Sequence, residues 1–227
     1  MYIPEHFRLR HDEDALAFMR ANPFAILVST TNEGPFATHL PLSVRTKAAD
    51  DGAERKIVLR GHVAKANPHW RYLERQPQCL AIFHGPHAYI SPTNYSAKES
   101  VPTWNYAAVH VSGNARLFSS EENVQEDLQA MLDELIQMFE PTYREQWESL
   151  NWKYRDNMLR QIVGFEIAAT KVEGKFKLSQ NRTREDQANV VASLETSEDS
   201  VVAGVARMMR EQGLGGTANS ENKVKAK

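Results

Sequence analysis

Between residues 105 and 117 the chain alternates as strictly as a half-buried β-strand requires. Ala107, Val109, Val111, Ala115 and Leu117 point one way, and Tyr106, His110, Ser112, Asn114 and Arg116 point the other. A period of two does not suit a helix, so this stretch predicts a strand with one core face and one polar face. Its neighbours extend the pattern. FAILVST (24–30) and PFATHLPLSV (35–44), joined through Asn32-Glu33-Gly34, read as a hairpin. KIVLRGHV (56–63) starts β-branched and apolar, and QIVGFEIAATKVE (161–173) has strand composition again. QCLAIFHG (78–85) and HAYIS (87–91) flank Gly85-Pro86 as a second hairpin would.

Helical periodicity interrupts these strands. Residues 12–21 form a short amphipathic stretch stopped by Asn22-Pro23. Val124, Leu128, Met131, Leu132, Leu135 and Phe139 recur at helical spacing within 119–139, with Ser120 and Glu121-Glu122 as a capped start and Pro141 as the end. A further helical stretch covers 147–159, and TKAADDGAER (46–55) reads as a polar, mobile loop. Six or more strands broken by two helical excursions do not alternate as βαβ units. The prediction is a mainly β protein with peripheral helices (α+β), an antiparallel barrel. After Arg182, TREDQANVVASLE (183–195) and DSVVAGVARMMREQ (199–212) are two amphipathic helices. The expected organisation is a barrel domain with inserted helices over 1–182, a helical pair over 183–212 and a disordered tail over 213–227.

With 227 residues and 41% apolar content, one substantial core is within reach. The 27 basic and 29 acidic residues give a net charge of −2, without the basic footprint that backbone binding to nucleic acid needs. The single cysteine, Cys79, excludes an intramolecular disulfide, reads as a small buried hydrophobe and suits a reducing compartment. MYIPEHFRLRHDEDALAF has no apolar centre of a secretory signal, and no stretch is long enough to span a bilayer. A cytoplasmic location without membrane contact is the expectation.

Chemistry concentrates at a few places. In GHVAKANPHW (61–70) a strand end delivers Lys65 beside a helix opened by Asn67-Pro68, where free N–H groups and the helix dipole favour an anion. The plainer reading makes Lys65 one exposed loop lysine among many. ATHLP (37–41), SPTNYSAKESVPTWNY (91–106) and FKLSQNR (176–182) are polar-aromatic clusters beside strands. Tyr95, Trp104 and Tyr106 can wall a planar ring, and Thr38, Asn105, Ser179 and Gln180 can pair with its heteroatoms. An aromatic-rich subunit interface has the same composition. The spacings of His84 with His87 and of His62 with His69 suggest a metal. A turn at Gly85-Pro86 sends the two imidazoles to different partners, and no carboxylate or thiolate completes a set, so no metal is expected. Glu121-Glu122 and Glu185-Asp186 stand at helix starts, where the dipole accounts for them. No residue is assigned a catalytic role.

The blocks MYIPEHF, ATHLPL, GHVAKANPHW, AYISPTNY, VPTWNYAAVHVSG and KLSQNR, in that order, resemble those of the PaiB-type flavin-binding proteins of the FMN-binding split-barrel superfamily. The resemblance runs from Met1 to about Arg210. It implies a homodimer with FMN in the crevice between subunits. Lys65, His62 and Ala64 then contact the phosphate end, and Thr38, His39 and Leu40 line the ring. Trp104, Asn105, Ser91 and Tyr95 close the site from the second subunit. The resemblance also implies a negative transcriptional regulator, for which DNA is a partner that charge supports weakly. The only helix-turn-helix-like spacing, within 183–209, mixes acidic and basic residues. Its apolar stripes, Val190, Val191 and Leu194, then Val201, Val202, Val205 and Met208, read as packing. The alternative class is a flavin-dependent oxidoreductase: a flavin reductase, a pyridoxine phosphate oxidase-like enzyme or a haem-degrading protein, with His39 or His110 supplying a proton or ligating haem. A barrel with a vestigial flavin site is the third reading.

Overall fold

The computed structural model describes residues 1–47, 56–118 and 124–216. The expected start of the helix at Ser120 and Glu121-Glu122, most of the polar loop (48–55) and the end of the tail (217–227) lie outside the described residues. The strands are β1 (Phe24–Thr31), β2 (Gly34–Pro41), β3 (Ser43–Lys47), β4 (Lys56–Ala64), β5 (Gln78–Ile90), β6 (Thr103–Leu117) and β7 (Ile162–Lys177). The helices are α1 (Asp12–Ala21), α2 (His69–Arg75), α3 (Val124–Phe139), α4 (Tyr143–Ser149), α5 (Trp152–Leu159), α6 (Arg184–Glu195) and α7 (Ser200–Glu211). One seven-stranded sheet runs in the order β2-β1-β5-β6-β7-β4-β3 and does not close. The pairs β1–β2, β1–β5, β3–β4 and β4–β7 are all antiparallel, as the mainly β expectation requires.

The chain divides into two compact units. The first comprises Met1–His11, His84–Ala108 and the described part of 174–227; the second comprises Asp12–Phe83 and Val109–Glu173. In the second unit, Met19, Leu27, Leu59, Phe83, Phe165 and Ile167 are fully buried. A neighbouring cluster of Phe118, Leu128, Met131 and Leu159 seats α3 and α5. The strand read from alternation is present as β6. Gly113 lies within it because a Cβ there would stand 2.5 Å from the Ala168 carbonyl oxygen. In the first unit, Ile90, Leu178, Val190, Val191, Val205 and Met209 are buried. Helix α6 buries its expected stripe of Val190, Val191 and Leu194. Of the stripe expected on α7 only Val205 is buried and Val201 is exposed, the buried face being Gly204, Val205, Ala206 and Met209.

Three local expectations change. PFATHLPLSV is not one strand: β2 ends at Pro41, the buried Leu42 donates its N–H to Pro23 O at 2.9 Å, and β3 pairs with β4 at the far end of the sheet. Gly85-Pro86 is not a turn, because β5 runs through it for 13 residues. Strand β1 covers only Cys79 to Ile82 of β5, so Pro86 sits where that neighbour asks for no N–H. The helical stretch after residue 143 is two helices. Asn151 interrupts it and restarts α5 by accepting the Lys153 N–H at 2.9 Å.

Candidate functional site

The second unit holds Thr38, His39, Leu40, His62, Ala64 and Lys65. Strand β4 ends at Ala64 because the chain folds back on itself. Lys65 N–H donates to Gln161 O at 2.7 Å, and Asn67 N–H donates to Ala64 O at 2.8 Å. The Asn67 side chain then accepts the His69 N–H at 3.0 Å, and the Trp70 indole donates to Lys65 O at 3.0 Å. The first amide of α2 is therefore taken, and the helix is only seven residues long. Of the anion attraction expected at this turn, the ammonium of Lys65 is the part left free. It forms no hydrogen bond or ion pair among the described residues. It lines a cavity of about 450 Å³ together with Trp70, Phe118, Leu128, Leu159 and Arg160. Arg160 is already committed to Asp156 at 2.9 Å.

His62, three residues before Lys65, has a buried Nδ1 without a hydrogen-bond partner among the described residues. Burial lowers its pKa below the ordinary histidine value and favours the neutral ring. Buried polar atoms in folded proteins are nearly always paired, so an orphan of this kind calls for a partner, be it a water, an ion or a ligand atom. On β2 the alternation separates the three ring candidates. His39 is exposed, 6.3 Å from the Phe24 ring, whereas Leu40 is buried. Thr38 Oγ1 accepts from Asn67 Nδ2 at 3.2 Å and pairs with His69 Nδ1 at 2.8 Å. His69 Nε2 pairs with Ser29 Oγ at 3.0 Å. His69 is wholly buried, and burial pushes its pKa down to about 4.

The first unit holds the other six candidates. Ser91 accepts the Thr93 N–H at 3.2 Å and so starts the turn at Pro92–Asn94. Tyr95 is buried, its hydroxyl has no partner among the described residues, and the Arg182 guanidinium lies 3.9 Å above its ring. Trp104 is 53% exposed, with the rings of Tyr89 and His87 about 6 Å away (6.0 and 6.1 Å). Asn105, on the opposite face of β6, is buried and donates to Ser179 Oγ at 2.9 Å. Ser179 adopts a left-handed backbone, φ 65°. Gln180 accepts the Leu178 N–H at 2.7 Å and donates to Phe176 O at 2.5 Å. The polar groups of Asn105, Ser179 and Gln180 thus hold the 176–182 turn together.

The sequence reading missed two networks: Thr38–His69–Ser29, and Arg60 with Glu134 and Glu166. Arg60 donates to Glu166 Oε2 at 3.2 Å from Nη2 and pairs with Glu134 Oε1 at 3.3 Å. Lys47 and Arg116 also pair with Glu166, at 3.4 and 3.3 Å. Their signal was a polar residue inside an apolar strand run: Ser29 in FAILVST, Arg60 in KIVLRGHV, Glu166 in GFEIAAT. His84 and His87 lie with ring centroids 4.9 Å apart. Among the described residues no group of three or more His, Cys, Asp or Glu side chains is placed to hold a metal ion.

The open antiparallel sheet with helical excursions between its strands is the fold of the split-barrel flavoproteins that the chain resembles in structure. Residues 1–171 match the family described as "Putative FMN-binding domain", and the chain belongs to that family, whose cofactor is FMN. It is 37% identical over 212 residues to "Protease synthase and sporulation protein PAI 2" of Bacillus subtilis (strain 168), covering 93% of this chain and 98% of that protein. It is 28% identical over 244 residues to the uncharacterized protein AN0679 of Emericella nidulans, covering 92% and 97%. The fold is shared with the FAD and heme binding protein from Mycobacterium smegmatis (TM-score 0.55, 13% identity, 75% and 73% covered). It is also shared with the flavocytochrome Anf3 from Azotobacter vinelandii (TM-score 0.54, 17% identity, 77% and 72% covered). Among the described residues no helix is long and apolar enough to cross a membrane.

Proposed function

We propose that the chain is a PaiB-type FMN-binding homodimer of the cytoplasm, in which Lys65, with His62 and Ala64, holds the phosphate end of the flavin. Thr38, His39 and Leu40 border the ring. Ser91, Tyr95, Trp104, Asn105, Ser179 and Gln180 of a second copy complete the site, on a barrel domain spanning 1–182. The observation that carries this reading is the ammonium of Lys65, which has no hydrogen bond or ion pair among the described residues. The cavity of about 450 Å³ that Lys65 lines has Trp70, Phe118, Leu128 and Leu159 in its wall and none of His62, Ala64, Thr38, His39 or Leu40, so it supports a place for the phosphate end and not for the ring. The orphaned His62 Nδ1 and Tyr95 hydroxyl support it, one in each group of candidates. Bound FMN supplies hydride and one-electron chemistry, while the protein binds it and sets its surroundings.

For the biological role, the PaiB resemblance favours a negative transcriptional regulator. The second reading, a flavin-dependent oxidoreductase, is favoured by one observation. The net charge of −2 supplies no basic footprint for a DNA partner. Purified protein reconstituted with FMN is expected to show the visible absorbance of a bound flavin; its absence would overturn the binding reading. Retardation of a promoter fragment that weakens with salt supports direct regulation, whereas none even at low salt, with reduction of the bound flavin by a nicotinamide nucleotide, supports the oxidoreductase.

A further inference from the structure

The first unit contains three cations that the flavin reading does not use. Lys175 and Lys177 share one face of β7, and Arg182 follows the turn that ends it. Lys175 is 8% exposed, yet its ammonium has only the Tyr2 carbonyl oxygen, at 3.2 Å, and the faces of Tyr2 and Tyr106, with ring centroids at 5.5 and 5.2 Å. Lys177 donates to the Thr103 hydroxyl and to Trp104 O, the latter at 2.8 Å. Arg182 is stacked on Tyr95. None of the three pairs with a carboxylate among the described residues. Asp186 feels the charge of Arg182, but its Oδ1 is taken by the Ser96 N–H at 2.8 Å and the Ser96 hydroxyl at 3.1 Å.

Buried cations are normally matched by an anion, and like charges gathered without one repel. The repulsion is visible at Lys177, whose pKa is lowered chiefly by burial and then by Lys175 and Arg182. The turn that brings Arg182 back toward Lys177 is held firmly. Ser179 is kept in its left-handed conformation by Asn105, and Gln187 donates to Ser179 O at 3.2 Å and to Arg182 O at 3.1 Å. Backbone in this uncommon region persists where its surroundings over-determine it, often at functional sites. The Tyr95 hydroxyl, which the flavin reading also draws on, is buried under Arg182 and has no partner among the described residues. The exposed ring of Trp104, whose carbonyl Lys177 holds, adds a flat apolar surface.

We propose that Lys175, Lys177 and Arg182 form a binding site for a small flat organic anion, a ring bearing a carboxylate or phosphate, distinct from the phosphate end of the flavin. The cations take the anionic group, and the exposed ring of Trp104, which the proposed flavin site also uses, borders the ligand's ring. The test uses the full chain without added FMN, so that it stands apart from the Lys65 reading. Benzoate and the uncharged benzyl alcohol are titrated by calorimetry. Benzoate is expected to bind about tenfold tighter or more, inorganic phosphate to compete with it, and Arg182→Gln to weaken it by about tenfold, the size of a lost charged hydrogen bond. Because Lys177 also ties down residues 103 and 104, Lys177→Gln is read only beside the phosphate competition on the unaltered chain. No benzoate binding, equal affinity for both probes, or benzoate binding indifferent to phosphate and to Arg182→Gln would overturn the proposal. A further titration of FMN and riboflavin into Arg182→Gln separates the two sources of phosphate. Weakened FMN with unchanged riboflavin would assign the cluster to the flavin's own phosphate and overturn the proposal in that way.

Discussion

The strand-to-turn segment 62–69 of the second unit and the turn at 176–182 of the first offer opposite arrangements of polar groups. Around 62–69, one cation and one buried imidazole nitrogen are open. Around 176–182, the amides and hydroxyl are closed on one another, and the neighbouring cations are what stays open. Polar side chains near a sheet are therefore of two kinds, those that build the turn and those that the turn presents. Residue type alone does not separate them, because a satisfied serine and a waiting one look the same in sequence.

The contrast can be broken most severely at His69. His69 is closed on both nitrogens, buried and neutral, with a folded pKa of about 4 against an unfolded value near 6.5. Its folded pKa is lowered, so the unfolded chain binds the extra proton. The stability due to the neutral ring is complete above about pH 6.5 and is lost as the pH falls toward 4. The loss amounts to about 3 kcal/mol. Urea unfolding across that range is expected to show this slope in the native chain and a shallower one in His69→Gln; parallel slopes would mean that His69 does not carry it.

Next in size is Asn105→Leu, which leaves Ser179 Oγ without its buried partner. It is expected to cost about 2 kcal/mol in unfolding free energy, and a loss well under 1 kcal/mol would show that the 176–182 turn stands without this pair. The smallest effect is expected at His62→Phe. Its Nδ1 has no partner to lose, so stability should stay within about 1 kcal/mol while FMN affinity falls. A large stability loss with FMN affinity intact would reverse the roles given to the two histidines.

Much of the sheet was legible in sequence because period-two alternation reports which face of a strand is buried, as in β6. What the sequence hid depends on contacts between distant strands. Gly85-Pro86 looks like a turn until the short reach of β1 along β5 is known. Pro41-Leu42 looks like strand until Leu42 bonds to Pro23. For the site, Lys65 stood out by its position at a strand end, and its local geometry replaces helix-terminus attraction with a single free ammonium. Thr38, Asn105, Ser179 and Gln180 were legible as polar groups in the right blocks. That their hydrogen bonds are already taken could be seen only once His69, Asn67 and Phe176 were in place.

The central claim is that Lys65 anchors the flavin by its phosphate, and the direct measurement compares FMN with riboflavin on the native chain and on Lys65→Ala. Loss of one charge-assisted contact should weaken FMN by roughly 10- to 100-fold and leave riboflavin, which has no phosphate, unchanged. Equal FMN affinity in the two proteins, or an equal loss for both flavins, would contradict the anchor.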